Sequence, residues 1–145
     1  MSVTVKKIDF QELLDAYLIR ERVFVEEQKV PKEFEIDEFE NVCQHYLARD
    51  DDGKAIGTAR WRKTDRGFKL ERFAILKEWR GKGIGSLLVK KVLEDVQANK
   101  LNDQELVYLH SQVDAIPLYA KFGFKQVGKQ FEECGILHCE MTLTI

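Results

Sequence analysis

The chain has little of what would settle its class at a glance. Its 145 residues hold three cysteines, Cys43, Cys134 and Cys139; the odd count and the lack of any C-x-x-C pair argue against a disulfide framework and against a zinc site. Buried packing of reduced thiols is the expected role. No charge sign dominates, since 23 Lys and Arg stand against 25 Asp and Glu for a net charge of −2. With the two signs intermixed, no basic stripe offers a footprint for nucleic acid. No window approaches the roughly 18 apolar residues of a membrane span, and the opening MSVTVKKIDF has no apolar stretch for a signal peptide. Repeats, linkers and low-complexity segments are absent. What remains is the expectation of a soluble, cytoplasmic, single domain over residues 1–145, with 44% hydrophobic residues to build its core.

VTVKKI alternates as a first strand. Asp9 with Glu12 three residues on resembles a capping box, and Phe10, Leu13, Leu14, Tyr17 and Leu18 follow at the spacing of one apolar helix face. Regular structure should lapse at Val30-Pro31, leaving the carboxylate-rich KEFEIDEFEN as a loop or short helix. CQHYLAR and KAIGTARWR read as a hairpin across Asp50-Asp51-Asp52-Gly53, and FKLERFAIL adds a strand across Thr64-Asp65-Arg66-Gly67. Ile84, Leu87, Leu88, Val92 and Val96 mark a helix packed on a sheet. ELVYLH returns as a strand, parallel to its predecessor through a right-handed crossover. A short helix around 115–121, with Pro117 tolerated in its first turn, precedes strands in FKQVG and ILHCEMTLTI. The order β-α-β-β-β-α-β-α-β-β predicts an α/β (α+β) fold on a mixed, mostly antiparallel sheet.

Between a strand and a helix stands WRGKGIGSLL (79–88). Backbone N–H groups at such a helix start converge on one point, glycine lets a ligand approach without meeting a Cβ, and Arg80 and Lys82 supply positive charge. Hydrogen bonds to a charged group, at roughly 1.5–3 kcal/mol each, outweigh a dipole term of roughly 0.3–1 kcal/mol, so directed donors dominate. A phosphate suits the site. The Walker pattern is not met, and Ser86 stands where the dinucleotide fingerprint needs its third glycine, so ATP and NAD are disfavoured.

Arg80-Gly81-Lys82-Gly83-Ile84-Gly85 matches the [RQ]-x-x-G-x-[GA] coenzyme A loop of the GNAT N-acetyltransferase superfamily, and AIPLYAKFGF (115–124) resembles that family's later A-x-x-x-Y-x-x-x-G-F segment. RVFVEEQKVPKEFEIDEFEN (22–41), GKAIGTARWR (53–62), LERFAIL (70–76) and GILHCEM (135–141) resemble the small bacterial YjcF/ElaA-like branch. The resemblance covers nearly the whole chain. It implies helices on both faces of the sheet and a splayed parallel strand pair at the coenzyme site.

For the site, it implies that Arg80, Gly81, Lys82, Gly83, Ile84 and Gly85, with Ser86 adjoining, hold the pyrophosphate of acetyl-CoA, while the backbone of Phe73, Ala74 and Ile75 tracks pantetheine. An amine then attacks the thioester directly. Glu71, near the place where the thioester should end, is the candidate base, provided burial raises its pKa or water mediates; pairing with Arg60, Arg62 or Arg72 is the alternative. Tyr119 is the candidate donor to the departing sulfur, or else a core aromatic on Phe122 and Phe124. His45, His110 and His138 are alternative bases or hydrogen-bonded structural groups. Glu33, Glu35, Asp37, Glu38 and Glu40 form either an attractor for a cationic amine or a solvated acidic loop. No metal is expected. The acceptor would be a small-molecule or peptide amine and the protein a monomer or homodimer, with no nucleic-acid or membrane partner. A non-catalytic acyl-CoA sensor and transfer of a longer acyl group are the competing readings.

Overall fold

The computed structural model describes residues 2–102 and 104–144; Ile145, the end of the expected last strand, lies outside them. Along the chain run β1 (Thr4–Ile8), α1 (Leu13–Arg20), α2 (Lys32–Glu35), β2 (Gln44–Arg49), β3 (Ala55–Thr64), β4 (Gly67–Ile75), α3 (Ile84–Asn99), β5 (Leu106–Gln112), α4 (Ile116–Ala120), β6 (Lys125–Glu133) and β7 (Ile136–Leu143). The strands make one sheet in the order β1-β2-β3-β4-β5-β7-β6. Every neighbouring pair is antiparallel except β4 and β5. The expected mixed sheet and its parallel pair are both present.

Strand alternation divides the core in two. Tyr46 and Ala48 of β2 pack in a cluster with Leu88, Val92 and Val96 of α3, whereas Leu47 between them packs with Leu13, Ala16 and Ile19 of α1. Helices therefore cover both faces. On α3 the buried stripe runs Ile84, Leu88, Val89, Val92 and Val96, and Leu87 is exposed. Successive steps of four drift around the helix toward Val89 and away from Leu87, which corrects the expected face.

The correction is larger on α1. Phe10, Leu14 and Leu18 are exposed, and the buried face is Leu13, Ala16, Ile19 and Arg20. Two apolar faces were available, and the one with the small Ala16 and the long Arg20 faces inward because Arg20 has partners there. Its guanidinium, 1% exposed, meets Glu35 at 2.8 Å and Glu40 at 2.7 Å. Arg60, equally buried, meets Asp37 at 2.7 Å and Glu40 at 2.8 Å. Within the acidic segment Glu35, Asp37 and Glu40 are counter-ions to buried arginines and so are not free to attract a cationic acceptor, whereas Glu33 and Glu38 are exposed. Removing one partner of such a set strands the other charge, at about 3–5 kcal/mol.

After α1 the helix widens into a π-helix over Glu21–Glu27. The extra residue per turn brings Phe24 and Gln28 over the end of β4 and β5.

Candidate active site and coenzyme loop

The site begins with a failure of strand pairing. β4 and β5 are paired from Gly67–Leu106 to Leu70–Leu109, and the ladder stops there. At its base the strands approach so closely that a Cβ on Gly67 (φ 141°) would lie 2.0 Å from the Leu106 carbonyl oxygen. At its top, β4 carries a bulge: Thr58 pairs with Ala74 and Arg60 with Glu71, so two residues of β4 oppose one of β3. Arg72 in the bulge has φ 58°. Such a backbone costs a non-glycine residue about 1–3 kcal/mol, offset here by its guanidinium on the Glu35 carbonyl (3.1 Å) and the Asp37 carboxylate (3.3 Å). The bulge bends β4 away from β5 and a cleft of about 210 Å³ occupies the gap.

Glu71, Arg72 and Phe73 line the cleft from β4, His110 and Gln112 from β5, Phe24, Gln28 and Phe34 from the helical side, Tyr119 from α4, and Glu133, Cys134 and His138 from the β6–β7 hairpin. Gln28 and Gln112 exchange amide hydrogen bonds of 3.3 and 2.7 Å, tying the π-helix to the end of β5. Tyr119 stands edge-on to Phe73, with ring centroids 5.6 Å apart. Its hydroxyl has no hydrogen-bond partner among the described residues, and burial pushes its pKa well above the ordinary tyrosine value. At neutral pH it is a proton-bearing donor facing the cleft.

Beyond β4 the chain makes a 3₁₀ turn at Lys77–Trp79 and enters the glycine loop. Gly81 and Gly83 have φ of 76° and 83°, and a Cβ on either would meet nothing within 4 Å. Gly83 takes the N-cap position of α3 and no side chain caps the helix. The first helical N–H groups therefore face open space, the arrangement an anion needs. Lys82 is exposed, and Lys121 reaches the helix start, its Nζ 3.0 Å from Ser86 Oγ. These residues fit a diphosphate.

Residues 9–145 match the family model of the acetyltransferase (GNAT) domain. The chain belongs to the GNAT acetyltransferase family. An uncharacterised N-acetyltransferase of Bacillus subtilis strain 168, YjcF, is 40% identical over 132 residues, spanning 90% of this chain and 91% of the relative. The crystal structure of Escherichia coli ElaA superposes with a TM-score of 0.85 at 26% identity, covering 98% of this chain and 99% of that one. A GNAT acetyltransferase from Elizabethkingia anophelis with acetyl-CoA bound shares the fold at a TM-score of 0.73 and 18% identity, over 99% and 98% of the two chains. The protein is accordingly a GNAT acyltransferase of the small YjcF/ElaA-like branch.

Within this GNAT site the expected residues fall in two places. Glu71, Phe73 and Tyr119 line the cleft, whereas Ala74, Ile75 and residues 80–86 lie beyond its lining. Arg80 departs from expectation: its guanidinium is paired with Glu27 at 2.8 Å and its Nε donates to the Ile75 carbonyl at 2.9 Å. It braces the loop against β4, and Lys82 and Lys121 are the cations beside the helix start.

Glu71 departs further. Burial acts to raise its pKa, but Arg60, Lys69 and Arg62 together outweigh that and hold it below the usual glutamate value. The three cations stand 3.0, 3.3 and 3.0 Å away. A carboxylate so neutralised is a weaker base than a free one, which reverses the expected consequence of burial. Sequence reasoning missed Gln28, Gln112, Phe24 and Lys121 as parts of the site. Phe24 and Gln28 had left a signal inside the RVFVEEQKVPKEFEIDEFEN segment and Lys121 inside AIPLYAKFGF, whereas Gln112 had left none.

His45 lies outside the cleft lining, with Nε2 2.9 Å from the Glu40 carbonyl. Burial lowers its pKa. Among the described residues no cluster of three or more His, Cys, Asp or Glu is placed to hold a metal, and no helix is long and apolar enough to cross a membrane.

Proposed function

We propose that this GNAT protein transfers the acetyl group of acetyl-CoA to a primary amine of its acceptor. The observation that carries the reading is the continuity of two features. The open edge of β4 begins where its ladder to β5 ends at Leu70–Leu109, and the same strand leads into an uncapped, glycine-lined helix start. The N–H groups of Gly83 to Ser86 would hold the diphosphate, helped by Lys82 and Lys121. Backbone groups of Phe73, Ala74 and Ile75 would orient the pantetheine arm, whose thioester would lie in the cleft beside Tyr119. Acetyl-CoA supplies the activated carbonyl.

Tyr119 would donate a hydrogen bond to the sulfur as it departs. With its pKa raised by burial, full proton transfer before bond breaking is uphill, and stabilisation of the developing thiolate is the role its environment suits. Glu71 serves to compensate Arg60, Arg62 and Lys69, keeping the cleft's β4 wall in place. The amine must lose its proton before it attacks. From an ordinary pKa of about 10.4, deprotonation at pH 7 costs about 5 kcal/mol.

A panel of amines incubated with acetyl-CoA, read by thiol release, tests the proposal. Turnover on at least one amine is expected. Tight acetyl-CoA binding with no amine consumed would replace the transferase reading with that of a coenzyme sensor.

A further inference from the structure

Glu71, paired with three cations, is poorly prepared to take this proton, and the β6–β7 hairpin holds a better-prepared group. His138 on β7 sits opposite Gln112 of β5 and Phe131 of β6, its side chain 10% exposed. Its Nδ1 lies 2.7 Å from the Ile136 carbonyl oxygen. A carbonyl oxygen only accepts, so Nδ1 carries the proton and the neutral ring keeps its lone pair on Nε2. Among the described residues Nε2 has no hydrogen-bond partner. Phe131 stacks on the ring at 6.1 Å and 22°, which fixes its plane.

The surrounding charges complete the arrangement. The Glu133 carboxylate stands 3.8 Å from Nε2, too far for a hydrogen bond and close enough to stabilise a positive ring. Its own pKa is held down, first by the hydrogen bond from His110 and further by Lys69 and the two histidines. Glu133 is thus anionic whenever the ring gains a proton. His110 of β5, also in the cleft, is occupied at both nitrogens, by Glu133 at 3.1 Å and Glu140 at 3.2 Å.

We propose that His138 Nε2 is the proton acceptor for the incoming ammonium, with the Glu133 carboxylate stabilising the imidazolium that forms. The proposal rests on the N-acetyltransferase reading above. One N–H proton of the ammonium passes to Nε2, and the freed nitrogen lone pair forms the N–C bond to the thioester carbonyl carbon. The C–S bond breaks with its electron pair going to sulfur. The second proton shed by nitrogen ends on that sulfur, and His138 returns the first to water before the next turnover.

The test uses the full chain, acetyl-CoA and an amine that the wild type acetylates. His138→Gln should lower kcat at least 100-fold, the scale of general-base catalysis, with the Kd for acetyl-CoA within twofold. Long-range ¹⁵N–¹H correlation on the unliganded wild type should show His138 protonated at Nδ1. Glu133→Gln, a change at the exposed hairpin, should lower kcat about tenfold and decides the matter should His138→Gln not fold. Turnover of His138→Gln within threefold of wild type, an Nε2-protonated ring, or Glu133→Gln at full rate would each overturn the proposal while leaving the acetyltransferase reading intact. A wild type that binds acetyl-CoA yet acetylates no amine would remove both.

Discussion

Replacing Gly83 with valine separates what the glycine loop does for folding from what it does for binding. In the free protein a Cβ at this position meets nothing within 4 Å, so no packing is lost and the cost is that of a non-glycine residue at φ 83°, about 1–2 kcal/mol. Against a domain stability of about 5–15 kcal/mol the variant stays folded, with a melting point lowered by roughly 3–8 °C. The new side chain, however, projects over the uncapped N–H groups of α3. Losing two hydrogen bonds to a charged diphosphate, at about 1.5–3 kcal/mol each, removes about 3–6 kcal/mol, a loss of affinity between about 150-fold and 20,000-fold. Gly53 supplies the control, since it has φ 81°, open space around its Cβ and a position in the β2–β3 turn. Gly53→Val should lose the same few degrees and none of the affinity. Calorimetric titration with acetyl-CoA and a thermal melt on both variants give the answer. Equal affinities would refute the assignment of the loop.

Tyr119→Phe should reduce kcat by about 10-fold to 150-fold, the value of a hydrogen bond to a charged atom, with the acetyl-CoA Kd and melting point nearly unchanged; a kcat within twofold would remove Tyr119 from the reaction. Gly67→Ala places a methyl group 2.0 Å from backbone oxygen of Leu106, so urea denaturation should show a loss of about 3 kcal/mol or more, and a loss under 1 kcal/mol would mean that the strands part freely. Asp37 is desolvated, yet the hydrogen bond and charge of Arg60 bring its pKa down to about 2. Its stabilisation is then complete above the unfolded value near 3.9 and is lost as pH falls toward 2. Asp37→Asn should flatten the stability profile between about pH 4 and 2 by roughly 1–2 kcal/mol, allowing for the quarter of the side chain that water reaches; an unchanged acid slope would contradict the pairing.

How far the sequence could be read depended on where each constraint is written. The glycine loop was legible because its requirement is on the backbone: positive φ at Gly81 and Gly83 favours glycine at those positions. The β2–β3 and β3–β4 hairpins were legible from turn residues and alternation, which are local. The inward face of α1 was not, because Phe10, Leu14 and Leu18 form as regular an apolar row as Leu13, Ala16 and Ile19, and the choice is made by Glu35 and Glu40 fifteen and twenty residues beyond Arg20. The same distance hid the fate of the acidic segment. Glu71 lines the cleft, and of the two readings open to it the pairing with Arg60 and Arg62 is present, with Lys69 added; the β3–β4 register that brings Arg60 opposite it is not written in the residue types. The tautomer of His138 depends on the carbonyl of Ile136 two residues before it, a contact made by the hairpin's shape and invisible in the residue types.

The central claim is that acetyl-CoA lies along the open edge of β4 with its diphosphate on the start of α3. Amide ¹⁵N–¹H spectra recorded during titration with coenzyme A measure this residue by residue. The largest shifts should fall on Gly81 to Ser86, with a second group on Phe73 to Ile75. Saturable binding whose shifts avoid residues 81–86 would contradict the account.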